Sequence, residues 1–374
     1  MVGSRTTPPF RADHVGSLLR PEELLDARQR FAEGRIPAEA LKAAEDAAIR
    51  DVVAMQRDVG LQSATDGEFR RSSWHMDFIY ELHGITKADE QLQVHFKSAE
   101  GTVEFTSAAL TVSDRIRLGD TIFGDAFKYL QSVVSPGQIP KLTIPSPSMV
   151  HYRGGPASID PKVYPDIEGF WSDLSAAYAE QIRRLGEMGC TYLQLDDTSL
   201  AYLNDPEQRA MLKGRGDDSE HQHLRYIKQI NAALKGRPDG MSITTHSCRG
   251  NFQSYWVAEG GYEFVAEALF NELDVDGFFL EYDDARSGDF KPLRFVPPGK
   301  MVVLGLVTTK RGELESKDDL KRRIDEASQY VPLEQLCLSP QCGFSSTVEG
   351  NRLTYDEEVA KLRLIVETAE EVWR

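Results

Sequence analysis

YLQLDD, residues 192–197, is a short apolar run of strand-forming residues that ends in two carboxylates. An amphipathic stretch, Asp166–Met188, precedes it, and another, Glu220–Leu234, leads on to a second strand-like run, Ser242–His246. Strand, helix, strand in that order is the pattern of a parallel crossover, because parallel neighbours cannot be joined by a tight turn. The alternation extends in both directions. Strand-like runs fall at His14–Leu18, Ser63–Glu68, Leu142–Ser146, Tyr192–Asp196, Ser242–His246, Gly277–Glu281, Met301–Val307 and Gln335–Ser339. Further amphipathic stretches fall at Pro37–Val59, Tyr262–Leu269, Lys317–Ser328 and Asp356–Trp373. Eight strands alternating with helices predict an α/β fold, a single (βα)8 TIM barrel.

One segment breaks the rhythm. From Ile85 to Asp120 the chain alternates with period two and shows no helical face, which predicts a β-hairpin-like insertion after strand two. It could close over the mouth of the barrel or form a subunit contact, so a homo-oligomer is compatible with this sequence. No linker-like stretch marks a boundary, so residues 1–374 read as one catalytic domain with its insertion at about 85–120.

Composition narrows the function. Against 43 Lys+Arg stand 59 Asp+Glu, a formal charge of −16, which disfavours nucleic acid or an anionic membrane as partner. No apolar run approaches the roughly 18 residues of a membrane span, and the opening MVGSRTTPPFRADH lacks the core of a secretory signal. The expected location is the cytoplasm. Four cysteines, Cys190, Cys248, Cys337 and Cys342, are too few for a disulfide scaffold, so each is either packing or chemistry.

Catalytic groups of a TIM barrel come from the C-terminal strand ends and the loops behind them. Here those ends read HVGS, TDGE, IPSPS, QLDD, THSC, LEYDD, LVTT and SPQC. His246 and Cys248 stand two residues apart and so project to one side of a strand end. With Glu281 from the next strand and Cys342 from the eighth they offer N, S, O and S donors, a set that suits Zn2+ better than magnesium or calcium. The competing reading makes both cysteines small core residues and His246 a hydrogen-bonded core histidine. Cys190 and Cys337, inside apolar surroundings, read as packing residues. Glu68, Asp196 and Asp197 could hold the ammonium group of an amino-acid substrate, and the backbone at Gly16-Ser17 its carboxylate. His14, Arg20, Arg70, Arg71 and Trp74 belong to the same mouth, with functional and structural readings level.

RADHVGSLLRP, TDGEFRRSSWHMDF, YLQLDDTSLAYL, THSCRGNF, FFLEYDDARSGDF, GLVTTK and LCLSPQCGFSST together resemble the catalytic half of cobalamin-independent methionine synthase, and more closely its short single-barrel relatives. The resemblance implies zinc on His246, Cys248, Glu281 and Cys342, the homocysteine carboxylate on Gly16 and Ser17, and the amine on Glu68 and Asp196. It also implies differences at the donor half: the strand-seven histidine of the family is replaced around Thr308, and the folate-stacking tryptophan has no counterpart in IPSPSM.

The expected activity is a zinc-dependent methyl transfer to the thiol of homocysteine or a similar small thiol. The methyl donor is small, methyltetrahydrofolate or another. A thiolate-rich metal site is a poor Lewis acid for hydrolysis but leaves a bound sulfur nucleophilic. Two other readings remain: a zinc-dependent alkyltransfer between a different thiol and electrophile, as in epoxyalkane:coenzyme M transferases, and a metal-free barrel lyase or decarboxylase.

Overall fold

The computed structural model describes residues 5–98 and 101–374, with the backbone alone at 89–96, 98 and 102–108. Its strands are β1 (Ser63–Ala64), β2 (His83–Ser98), β3 (Gly101–Arg117), β4 (Ile139–Pro145), β5 (Tyr192–Asp197), β6 (Ser242–Ser247), β7 (Gly277–Glu281), β8 (Met301–Val307) and β9 (Leu336–Pro340). Seven of them form one parallel sheet in the order β1-β4-β5-β6-β7-β8-β9. β2 and β3 pair antiparallel as a separate hairpin, so the expected insertion is present; its tip, residues 99 and 100, lies outside the described residues.

Why these runs form strands is visible in their burial. Every residue of β5, β7, β8 and β9 is buried, as a parallel sheet covered on both faces requires. The covering helices carry one apolar stripe each. Helix Ile167–Glu187 starts on Asp166, whose side chain accepts from the Glu168 amide, and buries Phe170, Trp171, Leu174, Tyr178, Ile182 and Leu185. Each such side chain contributes about 2 kcal/mol by burial, so a single Trp171→Ala change would open a large void. Helix Tyr355–Val372 is fixed by a capping box between Thr354 and Glu357.

The sheet has seven strands where eight were expected. Residues 14–18 do not form one; just before them Ala12 makes an isolated parallel bridge to Leu338, and β4 and β5 reach the segment through side chains, Lys141 donating to the His14 carbonyl and Gln194 to that of Val15. The cause is local. The Asp13 carboxylate accepts the amides of Phe10 and His14, which removes those donors from a ladder. Gly16 then turns at φ +146, a conformation other residues rarely take. The second strand is likewise shorter than expected. Gln56 takes the Thr65 amide, Asp66 takes that of Glu68, and Glu68 itself stands at φ +62. The architecture is therefore TIM-barrel-like, a curled seven-stranded parallel sheet.

Inside the curl, Val15, Phe279, Met301, Val303 and Cys337 form one apolar cluster. Beside it lies a wholly buried ion pair, Lys141 Nζ to Asp13 Oδ1 at 3.3 Å. Tyr192 and Ser63 also donate to the Asp13 carboxylate, so both charges are fully partnered.

Candidate active site

Strand register decides which side chains meet. β5 and β6 align Asp196 with His246 and Asp197 with Ser247. β6 and β7 align His246 with Phe279, and β7 and β8 align Glu281 with Gly305. Cys342 stands two residues beyond the end of β9. These ends open on a cavity of about 180 Å³ whose wall includes Ser17, Glu68, Trp74, Asp196, His246, Cys248 and Cys342.

Three of the four expected metal ligands converge. One nitrogen of His246 and the sulfurs of Cys248 and Cys342 all lie within 4.8 Å of one another, and all three residues are buried. The two sulfurs are 3.4 Å apart. Two sulfurs each 2.3 Å from a tetrahedral zinc would be about 3.8 Å apart, so the pair is nearly spaced for one ion. Neither ring nitrogen of His246 has a hydrogen-bond partner of good geometry, which a satisfied core histidine would have. The donors fit a thiophilic divalent ion such as zinc.

Electrostatics agree with that fit. The mutual hydrogen bond of the two thiols holds Cys342 well below its ordinary value and Cys248 well above. Burial works against a charge on His246, but the nearby Cys342 sulfur, with Asp196 and Glu281, raises the ring above its ordinary value. Cys190 and Cys337 lie outside this group, each pushed up to about 12 by burial.

Glu281 is placed differently. It is not one of the three grouped ligands. Its Oε2 accepts the Arg249 amide at 2.7 Å, and its Oε1 pairs with Arg286 at 2.7 Å and Lys310 at 3.2 Å. Burial opposes its charge, but Lys310, Arg286 and Arg249 overcome that and hold the carboxyl well below the usual range. An ionised carboxylate is thus kept one strand away from His246.

The other expected residues divide. Glu68 lines the cavity, accepting from Thr143 Oγ1 at 2.7 Å with Arg71 3.6 Å away. Asp196 lines it too; burial, with Glu68 adding and His246 opposing, pushes its carboxyl up to about 7. Ser17 reaches the cavity, and Gly16 lies directly behind, where an added Cβ would meet Thr143 at 2.7 Å and Glu68 at 3.4 Å. Asp197 touches the cavity, but Ser148, Ser199 and the Leu200 amide occupy its carboxylate. His14 is not part of the wall. Both of its ring nitrogens are buried without a hydrogen-bond partner.

Among the arginines of the mouth, Arg20 braces the loops by donating to the carbonyls of Glu68, Arg71 and Thr347. Arg70 pairs with Glu45 and Asp46 away from the cavity. Trp74 does line the cavity, stacked on His75 with ring centroids 4.3 Å apart. His75, Arg153, Tyr202, Asn251 and residues 346–349 line it as well and were not anticipated. His75 lies inside a quoted motif. Arg153 sits seven residues past Ser146, on helix Ser148–Gly154, beyond where a strand-end reading stops.

Comparison with known proteins matches residues 161–371 to the family described as cobalamin-independent synthase, catalytic domain. A Bacillus subtilis protein named only as uncharacterized protein YxjH is 45% identical over 98% of this chain and 95% of its own. A crystal structure from Listeria monocytogenes, described as a putative vitamin-B12 independent methionine synthase, is 39% identical, with a TM-score of 0.79 over 98% of this chain and 99% of that one. A methionine synthase of Pyrococcus abyssi is 25% identical over 94% of this chain and 90% of its own.

Proposed function

The chain belongs to the cobalamin-independent synthase catalytic-domain family, and from that premise we propose that it methylates the thiol of homocysteine to give methionine. The observation that carries this reading is the meeting of His246, Cys248 and Cys342 beside a cavity that also holds Glu68 and Asp196. His246, Cys248 and Cys342 would hold a zinc ion, with the ionised Glu281 as the fourth protein donor. Bound zinc lowers the pKa of a coordinated thiol, so that homocysteine presents its sulfur as thiolate.

The protein's own groups do the rest. Glu68, whose carboxyl is fixed by Thr143, takes the substrate ammonium together with Asp196. Ser17 and the Gly16 backbone, next to Glu68, would take the carboxylate bonded to the same carbon. Gly16 allows the close approach that any Cβ would block. With the amino acid held at both ends, its sulfur attacks the donor's methyl carbon in line. The new S–C bond forms as the donor–methyl bond breaks, and the donor keeps that electron pair. Burial of the site keeps water from competing. Four free cysteines fit the reducing cytoplasm, and among the described residues no helix is long and apolar enough to cross a membrane.

The test is direct. Zinc-loaded protein is incubated with homocysteine and 5-methyltetrahydrofolate, and methionine is read by mass spectrometry. Methionine formed in proportion to enzyme supports the reading. Consumption of an epoxide with coenzyme M, and no methionine from any donor, would replace it with the other alkyl transfer.

A further inference from the structure

Arg153 is the single Lys or Arg among the described residues lining the cavity. A guanidinium carries five N–H donors and no acceptor. Yet Arg153 makes no hydrogen bond and no ion pair with a described residue, and its Nε is buried without a partner. The contrast with its neighbour is sharp. Arg215, packed against Gly155, donates Nε to Asp217 at 2.7 Å and Nη1 to the Tyr152 carbonyl at 2.9 Å. Helix Ser148–Gly154 is therefore tied down without Arg153. An unpaired, partly buried guanidinium in a catalytic cavity calls for an anion.

A second unpartnered polar atom stands in the same wall. His75 is 6% exposed, and its Nε2 has no partner. Ser73 Oγ accepts the Met76 amide and lies 3.1 Å from His75 Nδ1, so the ring is held through Nδ1 and its Nε2 stays free for a ligand. Burial and the nearby Arg153 charge keep the ring uncharged.

Position separates this wall from the amino-acid half of the cavity. An α-carboxylate and an α-ammonium share one carbon, so the homocysteine carboxylate must stay beside Glu68 and Asp196. The cation there is Arg71, which is within 3.6 Å of Glu68. The charge of Arg153 acts instead on His75, Tyr152 and Tyr202.

We infer that Arg153 is the counter-ion for a carboxylate carried by the methyl donor, with the Trp74–His75 wall beside it. This rests on the methyl transfer proposed above and adds the charge class of the donor. A cationic donor, a sulfonium or quaternary ammonium, would meet Arg153 as a like charge and be disfavoured.

Calorimetric titration of the zinc-loaded full chain tests it, with homocysteine and 5-methyltetrahydrofolate as separate probes. Wild type, Arg153→Gln and Arg153→Lys are compared at equal zinc content and melting temperature. The expected result is 5-methyltetrahydrofolate binding weakened about tenfold or more in Arg153→Gln, partly restored in Arg153→Lys, with homocysteine affinity unchanged. Weakened homocysteine instead would assign the carboxylate to the thiol substrate and overturn the inference. Two unchanged affinities would overturn it as well. Wild type that binds homocysteine but not 5-methyltetrahydrofolate refutes the anionic donor and leaves methyl transfer standing. Wild type that binds neither refutes the proposed function itself.

Discussion

Cys248 and Cys342 are 94 residues apart in sequence, and their sulfurs are 3.4 Å apart in the fold as free thiols. One follows β6 and the other follows β9, so only closure of the curled sheet can join them. Two buried sulfurs this close, beside a histidine whose ring nitrogens have no hydrogen-bond partner, form a group that could hold a metal ion.

Removing a ligand should therefore remove the metal. In Cys342→Ala and His246→Ala, zinc measured by plasma emission should fall from one ion per chain to below about a tenth, with activity lost in parallel. The far-ultraviolet circular dichroism should stay that of the wild type, because these side chains end a strand rather than build the core.

Glu68→Gln keeps the shape of the side chain and removes its charge. The account places Glu68 on the substrate ammonium, so the homocysteine KM should rise about tenfold or more. Zinc content should not change. A KM unaffected in Glu68→Gln would make this carboxylate a loop brace for Arg71 and Thr143 only.

Gly16→Ala tests the close approach behind Ser17. The new methyl would lie 2.7 Å from Thr143 Cγ2, in a backbone conformation at φ +146. Strain and displacement should cost about 1–3 kcal/mol in urea unfolding and also disturb Glu68, which Thr143 holds. Loss of stability without any change in homocysteine binding would separate Gly16 from the site.

Two buried histidines make stability fall with acid. Burial, then Lys141, holds His14 down to about 4; burial, then Arg215 and Arg225, holds His151 down to about 3. Each is free to take a proton near 6.5 once unfolded, so the unfolded chain binds more protons below that pH. The stabilisation is complete above pH 6.5 and lost as pH falls toward the folded values. From pH 7 to 5 each should remove on the order of 2 kcal/mol. His14→Gln should flatten the urea-unfolding profile by its own share, and an unchanged slope would contradict the assignment.

What could be read in advance follows from where the signal lies. β7 and β8 match their sequence limits, because full burial writes them as continuous apolar runs. HSC and PQC pointed to His246, Cys248 and Cys342, which the fold brings together, because their chemistry is carried by residue type. The HVGSLL run misled, since its first amide, that of His14, is taken by the Asp13 side chain and Gly16 turns the chain, and no periodicity shows either effect. Glu281 shows a similar limit. Its neighbours Arg286 and Lys310 are distant or loop residues, so its ion pairs appear only in three dimensions. Arg153 was missed because it lies on the helix after the strand end.

The central claim is that the homocysteine sulfur joins the thiolates of Cys248 and Cys342 on one zinc ion. Zinc-edge X-ray absorption of the loaded protein, before and after homocysteine, measures this most directly. The account predicts two sulfur neighbours at about 2.3 Å in the free enzyme and three in the complex. A count that stays at two while homocysteine is bound would contradict it.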